Sequence, residues 1–469
     1  MVKKITIMLV ILVASGCTAF HPKSRPLNPM EMPESFSLYS SGNSIQTRWW
    51  ESFGDADLNR LVAEALSGNF DIQTALSRLK QANAVLRQTG ANLSPSLTYS
   101  GSAEKSWIQT ESEAGETTHS DTESFSIGLA ASYEIDLWNR LGALHKAELL
   151  EFDATREDLA AAAATVTSEV VSTWIDILAT RRQIAILKEQ IKINEKLMDL
   201  ESLRFENGKA TALDLSQQRE ALAAAKAKLP PLQLSEQQNL NALAILLGRS
   251  SAQGLSVDRQ DLPELISIPD TGLPADLLAS RPDVRAAGLR LSSADWQVSA
   301  AKADLLPAIS ISANGIFSAD SLDLLFSNWV STLAASITGP LFDAGKRSAE
   351  TERLRAAAEI SLTDYARTVA EAIQEVENGL ITETRQNEYI TLLEDQLGAS
   401  RLTLKDARLQ YMNGKDNYLS YLTAWTSVQS LERQVVQEQA TLIKNRVDLY
   451  RAVGGNWSRE LTPDNTENT

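Results

Sequence analysis

Few side chains in this 469-residue chain have the type and spacing for chemistry. Its three histidines, His21, His119 and His145, are too scattered along the sequence to build a metal site or a catalytic triad by local spacing. No phosphate-binding glycine loop occurs. The densest set of oxygen and nitrogen ligands is Glu111, Glu113, Glu116, His119, Asp121 and Glu123, which reads either as a divalent-cation site or as a solvated acidic loop. The remaining reactive group is the thiol of Cys17, the only cysteine, so no internal disulfide can form. No enzymatic activity, metal or cofactor is expected.

The setting of Cys17 is informative. Lys3 and Lys4 precede an apolar run, Ile5 to Val13, that is far shorter than the roughly 20 residues a spanning helix needs. This is the pattern of a signal peptide. The small-residue site Ala14-Ser15-Gly16 directly before the cysteine resembles a bacterial lipoprotein signal. That resemblance implies loss of residues 1–16 and acylation of Cys17 as the new N-terminus. Ala14 departs from the usual Leu or Val, and ordinary cleavage beside an incidental cysteine is the alternative. Thr18, rather than Asp, points to the outer membrane. Residues 17–47, with Pro22, Pro26, Pro29 and Pro33, read as an extended tether. Losing Lys3 and Lys4 takes the formal charge from −16 to −18, which argues against a nucleic-acid partner.

The elements around these residues repeat. Val170, Ile177, Ile184, Ile191, Met198 and Phe205 form a seven-residue stripe, and Val376, Glu383, Ile390, Leu397, Leu404 and Tyr411 repeat it 206 residues later, with a break at Glu383. Such a period predicts long supercoiled helices packed on partners. Each stripe ends at a turn, Asn207-Gly208-Lys209 and Asn413-Gly414-Lys415. The chain therefore reads as one unit made twice, over residues 48–248 and 262–454, with a polar tail at 455–469. The first copy predicts helices from about Asp57 to Leu66, Asp71 to Asn92, Ala143 to Glu206 and Thr211 to Leu247, the last broken by Pro230-Pro231. The second predicts a helix opened by Arg281-Pro282-Asp283 with Ser280 as its cap, a long helix ending at Asn413, and a last one from about Asn417 to Val453. Each long helix spans roughly 100 Å, and the two shorter helices of a copy, stacked end to end, match that length.

Between the helices the period changes to two. Phe125, Ile127, Leu129, Ala131, Tyr133, Ile135 and Leu137 alternate with small and polar residues, as do Ile309 and Ile311, then Leu333 and Ile337. These are strand pairs, about 95–137 and 307–342, with one apolar and one polar face. Their length suits a membrane barrel, with Phe125, Ile127, Leu129, Tyr133, Ile309, Ile311, Leu333 and Ile337 toward lipid. Trp107 and Trp329 mark one end, and Tyr133, Trp138 and Phe342 the other, as interfacial girdles. One chain supplies four strands, and an eight-stranded barrel is filled by its own side chains, so a conducting barrel needs at least three chains. The fold class is mainly α with a membrane β-barrel, internally duplicated.

From Trp49 to Trp457 the chain resembles the outer-membrane efflux proteins of the TolC and OprM type. The resemblance rests on Trp49-Trp50 with Phe53, Asp55 and Leu58, on Asn69, Asp71, Ala75 and Arg78, and on Tyr133-Glu134-Ile135-Asp136-Leu137-Trp138. It continues with Arg281-Pro282-Asp283-Val284-Arg285-Ala286-Ala287, Gly339-Pro340-Leu341-Phe342-Asp343-Ala344-Gly345 and Gly454-Gly455-Asn456-Trp457. It implies a homotrimer whose twelve-stranded barrel in the outer membrane continues into a twelve-helix periplasmic tube. It also implies a periplasmic adaptor and an inner-membrane transporter as partners, and passive conduction of small molecules. The family's pore narrows just after the second tip turn, through an apolar and an acidic ring. By position the apolar ring falls on Leu419, beside Tyr418, and the acidic one on Thr423, which has no carboxylate. Asp416 either supplies charge there or favours the N-terminus of the last helix. Gly208, Lys209, Gly414 and Lys415 would form the periplasmic tip. A duct for secreted proteins and a periplasm-spanning helical scaffold without a channel are the other readings.

Overall fold

The computed structural model describes residues 20–22, 33, 35–36, 48–111, 117–266, 268, 274 and 277–454. Cys17 and the polar tail lie outside the described residues, as do Glu113 and Glu116 of the acidic set. A 3-10 helix at Trp49–Phe53 leads into α1 (Ala56–Gly68), α2 (Phe70–Ala91), β1 (Ser96–Glu111), β2 (Thr117–Ile135), α3 (Arg140–Glu206), α4 (Ala212–Ala227) and α5 (Leu229–Leu246). After a connecting segment come α6 (Leu277–Ser280), α7 (Pro282–Ala303), β3 (Ala308–Ala319), β4 (Trp329–Thr338), α8 (Lys346–Met412) and α9 (Tyr418–Val453). The long helices α3 and α8 have 67 residues each, about 100 Å at 1.5 Å per residue. Pro230 and Pro231 fall in the first turn of α5, where a missing N–H costs nothing, so the chain breaks at Lys228 rather than bending.

Two details differ from the sequence reading. Residues 117–123 belong to β2 rather than to a loop. They pair with β1 out to Glu111↔Thr117, and because both faces of this ribbon are polar, no hydrophobic alternation announces it. Ser280 does not cap α7. It ends α6, and its hydroxyl donates to the Val453 carbonyl at 3.0 Å.

The chain divides into two compact units. The first holds Arg78–Thr155 and Ala286–Ala366, with the sheet at its heart. Here α3 and α7 meet over small residues: Ala143, Ala147, Ala154, Ala300 and Ala303 are buried, and Ser293 donates to the Ala147 carbonyl at 2.9 Å. Alanines at such positions let two helix backbones approach closely.

The second unit holds Met30–Ser77, Arg156–Arg285 and Arg367–Thr469. Its core is built on the heptad stripes. Val170, Ile177 and Ile184 are buried, as are Val376, Ile390, Leu397 and Tyr411. The first stripe leaves the core toward its end, where Phe205 is 43% exposed in the single chain. The end-to-end stacking of short helices occurs in both copies. In the first, Asn69 donates to the Leu246 carbonyl of α5 at 2.9 Å and accepts from the Asp71 and Ile72 amides of α2. In the second, Arg281 donates to the Ala452 carbonyl at 3.0 Å. Gly248 and Gly454, 206 residues apart, close these joints with φ of 74° and 83°. A Cβ at Gly248 would stand 2.1 Å from the Gly68 carbonyl oxygen, and one at Gly454 would stand 2.8 Å from that of Ser280. Both positions need glycine for space as well as for conformation.

Glu383, the break in the second stripe, is buried against Arg446 of α9, with Nη2 to Oε1 at 2.5 Å. Asn387 adds a donor to the same oxygen at 2.9 Å, and Arg446 also donates to the Ile266 carbonyl of the connecting segment. The equivalent positions in the first copy, 206 residues earlier, are Ile177 and Leu240. An apolar pair in one copy has become a buried ion pair in the other. The first copy holds the connecting segment elsewhere: Arg181 of α3 is paired with Glu236 at 2.7 Å and donates to the Val257 carbonyl.

Candidate functional site: the sheet and the helical tip

The four strands form one antiparallel sheet in the order β1-β2-β3-β4, so β1 and β4 are free edges. The register decides which side chains share a face. Tyr99, Leu129 and Gly315 stand in one row, Ile127 is opposite Gly101 and Phe317, and Tyr133 is opposite Ile311. Ile309 is opposite Ile337, Ala313 opposite Leu333, and Phe317 opposite Trp329. All eight residues assigned to lipid from the sequence therefore lie on a single face. On β2 this apolar face runs from Phe125 to Ile135, ten steps or about 33 Å along the strand. At a tilt near 40° that is about 25 Å of height, the thickness of a barrel's apolar band. Within the described residues no helix is long and apolar enough to cross a membrane.

The band has marked ends. Beyond Phe125 the same face turns polar, with Lys105 paired to Glu123 at 2.7 Å, near Asp121 at 3.9 Å, and over the Trp107 ring at 5.8 Å. His119 stands opposite Gln109 in the ribbon, and the described residues contain no group of three or more ligands that could hold a metal. At the other end, Trp138 donates from Nε1 to the Pro307 carbonyl at 2.7 Å. Asp136 accepts from the amides of Arg140, Leu141 and Gly142 and so caps α3, the turn from strand to helix. Leu341 and Phe342, at the corresponding end of β4, are almost fully exposed in the single chain.

The two tip turns have the same geometry. Gly208 donates to the Phe205 carbonyl and Lys209 to that of Arg204, while Gly414 and Lys415 do the same to Tyr411 and Gln410. With φ of 68° and 65° at the glycines, both are Schellman endings, and the four turn residues are exposed. The next helices start on side-chain caps, Thr211 with Asp214 for α4 and Asn417 for α9. Asn417, not Asp416, is the cap; Asp416 accepts from the Asn417 amide at 2.7 Å.

Leu419 and Thr423, one turn apart on α9, are exposed and line a groove of about 500 Å³ with Ser400, Thr403 and Ser427. Tyr418 does not join them. It is 1% exposed and packs with Tyr411 and Tyr421, and its hydroxyl donates to Gln218 of α4. The hydrophobic position after the cap turns inward because α4 and α9 pack there.

Around Tyr418 a polar set ties the two copies together, which the sequence reading missed. Tyr411 of α8 donates to Glu201 of α3 at 2.6 Å, and Arg204 lies 4.6 Å over the Tyr411 ring. Gln218 donates to the Asn194 carbonyl at 2.8 Å, and Trp425 donates to the Asn194 side chain at 3.1 Å. Farther along α3, Gln183 meets Gln437 and, seven residues on in each helix, Asp176 meets Lys444. Burial pushes the Glu201 carboxyl above its ordinary value, with Asp214 adding to the shift, against the opposing Tyr411 hydroxyl and Arg204. Burial and the neighbouring Glu201 hold Tyr411 firmly protonated, so it remains a donor.

The comparisons agree with this geometry. The sequence profile of the "Outer membrane efflux protein" family matches residues 61–249 and 273–455. The pyoverdine export outer membrane protein OpmQ of Pseudomonas aeruginosa is 29% identical over 437 residues, which cover 91% of this chain and 92% of that one. The cation efflux system protein CusC of Escherichia coli is 27% identical over 460 residues, 96% and 98% of the two chains. The solved structure of the outer-membrane channel OprN superposes with a TM-score of 0.86 at 26% identity, covering 94% of this chain and all of that one. These relatives are channels rather than enzymes, in Gram-negative outer membranes with extension into the periplasm. The chain belongs to the outer membrane efflux protein family.

Proposed function

We propose that three copies of this chain close their sheets into one twelve-stranded barrel, the outer-membrane exit duct of a tripartite efflux pump that passes small molecules. The carrying observation is a four-stranded sheet with one continuous apolar face and two free edges. Bare strand edges are not tolerated in hydrocarbon, and pairing β4 of one protomer with β1 of the next removes both. A periplasmic adaptor and an inner-membrane transporter complete the assembly, and the duct itself conducts passively. Cys17 carries the acyl chains of the mature N-terminus. Intact-mass analysis of the mature protein is expected to show residues 1–16 gone and the mass raised by acyl groups, and an unmodified Cys17 would contradict this.

In this reading the resting pore closes at the helical tip through three copies of Leu419, with Thr423 on the same face. Tyr411 to Glu201 and Tyr418 to Gln218 act as latches holding α8 and α9 against α3 and α4. Opening slides the second-copy helices away from the first, a small shift between two packings. Leu419→Ala and Tyr411→Phe are each expected to raise the conductance of the isolated trimer in a planar bilayer and to sensitise cells to large antibiotics. Wild-type conductance in both variants, together with opening by a change at Asp416, would mean that closure is electrostatic. The raised Glu201 carboxyl gives the latch a pH signature. Protonated Glu201 fits the buried site better, so stability is full below the ordinary carboxyl range and declines as pH rises through the raised value. Glu201→Gln keeps an acceptor for Tyr411 without the charge, and the heat stability of its trimer should lose that decline.

A further inference from the structure

We propose that a pocket between α4 and α9 binds a small, doubly charged oxyanion through Lys228 and Arg433. The pocket holds about 260 Å³ and lies within the second compact unit, over buried Leu187, Ala221 and Leu422. All its lining residues belong to one chain, so the site is complete without a second copy. Lys228 stands at the break where α4 ends and α5 begins, and Arg433 faces it from α9.

Among the described residues neither cation takes part in an ion pair. Arg433 donates to the neutral side chain of Gln190. Glu432, its neighbour in sequence, is taken by Arg401 at 2.9 Å. Glu220 also lines the pocket, but it stands eight residues before Lys228, about 12 Å along the helix. Burial, and after it the charge of Arg433, hold the Lys228 ammonium below its ordinary value. Burial also lowers Arg433, against the opposing charge of Glu432. Two positive charges therefore repel each other across a partly desolvated pocket. A third group joins them. Gln429 lines the same pocket, is 7% exposed, and its side-chain nitrogen has no hydrogen-bond partner. A buried donor without an acceptor is costly, and an oxyanion supplies the acceptor. Packing does not call for these side chains. In the other copy the equivalent positions are neutral: Ala223 and Ala227 for Gln429 and Arg433, and Gln434 for Lys228. A lysine point charge beside an arginine fork suits phosphate-like geometry. The ligand class is an oxyanion with two negative charges, for which inorganic phosphate is the probe.

The test is the heat stability of the full-length protein in mild detergent, followed by tryptophan fluorescence in sodium phosphate and in sodium chloride at matched ionic strength. Phosphate should raise the unfolding temperature of the wild type along a saturating curve, and chloride should not. Lys228→Gln and Arg433→Gln should each move the midpoint of that curve to phosphate concentrations roughly tenfold higher or more. Lys226→Gln removes a lysine that is paired with Glu195 at 2.7 Å and does not line the pocket, and it should keep the wild-type curve. Without phosphate, Lys228→Gln should be no less stable than the wild type, because it relieves the repulsion between two cations. A wild type that responds to phosphate no more than to chloride would overturn the site. So would a phosphate response that Lys228→Gln and Arg433→Gln leave unchanged. A loss of stability in phosphate-free Lys228→Gln would overturn it too, because a carboxylate from a second copy would then already fill the pocket.

Discussion

Replacing Arg446 with methionine is expected to cost the protein about 3–5 kcal/mol. Arg446 and Glu383 are each 3% exposed, so the substitution leaves a buried carboxylate with Asn387 as its remaining side-chain donor. It also removes the donor to the Ile266 carbonyl. The first copy carries an apolar pair at the same two positions, Ile177 and Leu240. Glu383→Ile with Arg446→Leu should therefore recover most of the loss, because an apolar pair of suitable volume is often as stable as a buried ion pair. The recovery should be incomplete by the one carbonyl left at Ile266. The heat-dissociation temperature of the trimer reads both variants. A double variant as unstable as Arg446→Met would mean that the ion pair, rather than the burial of charge without a partner, sets stability here.

Arginine at Leu129 or Leu333 is expected to prevent assembly in the outer membrane. Both side chains lie near the middle of the apolar face, opposite Tyr99 and Ala313 respectively. Charge at mid-bilayer on the lipid side of a barrel costs about 2–4 kcal/mol, and each trimer would carry it three times. Ser126→Arg and Thr332→Arg place the same charge on the polar face and should assemble. The amount of heat-resistant trimer in the outer-membrane fraction separates the classes. Equal assembly of both would mean that the two faces of the sheet had been exchanged or misregistered.

The sequence displays some of this directly. Residues 125–135 alternate because one face is apolar and the other is not, and their faces follow without any structure. The same strand continues through Thr117–Ser124 unseen, because polar side chains on both faces leave no period. The Asn-Gly-Lys tips are legible since a left-handed C′ residue favours glycine whatever the tertiary context. In the sequence Tyr418 reads as a neighbour of Leu419, but adjacent helical residues point about 100° apart, and only packing against α4 decides which one turns inward. Glu383 was visible as a flaw in a heptad. Its partner stands 63 residues away on another helix, and the comparison of Leu240 with Arg446 across the repeat is the signal that could have found it. Glu201, Asn194 and Gln218 carry no such mark, since polar residues at core-facing positions look like solvated ones until a second helix covers them.

On the proposed reading one chain is a third of a channel. Native mass measurement of the particle extracted from outer membranes in mild detergent tests this. Three chains, each near the 51.3 kDa of the full sequence less the residues 1–16 proposed to be removed, are the expected result. A stable single chain, with the edges of β1 and β4 unpaired, would contradict the account.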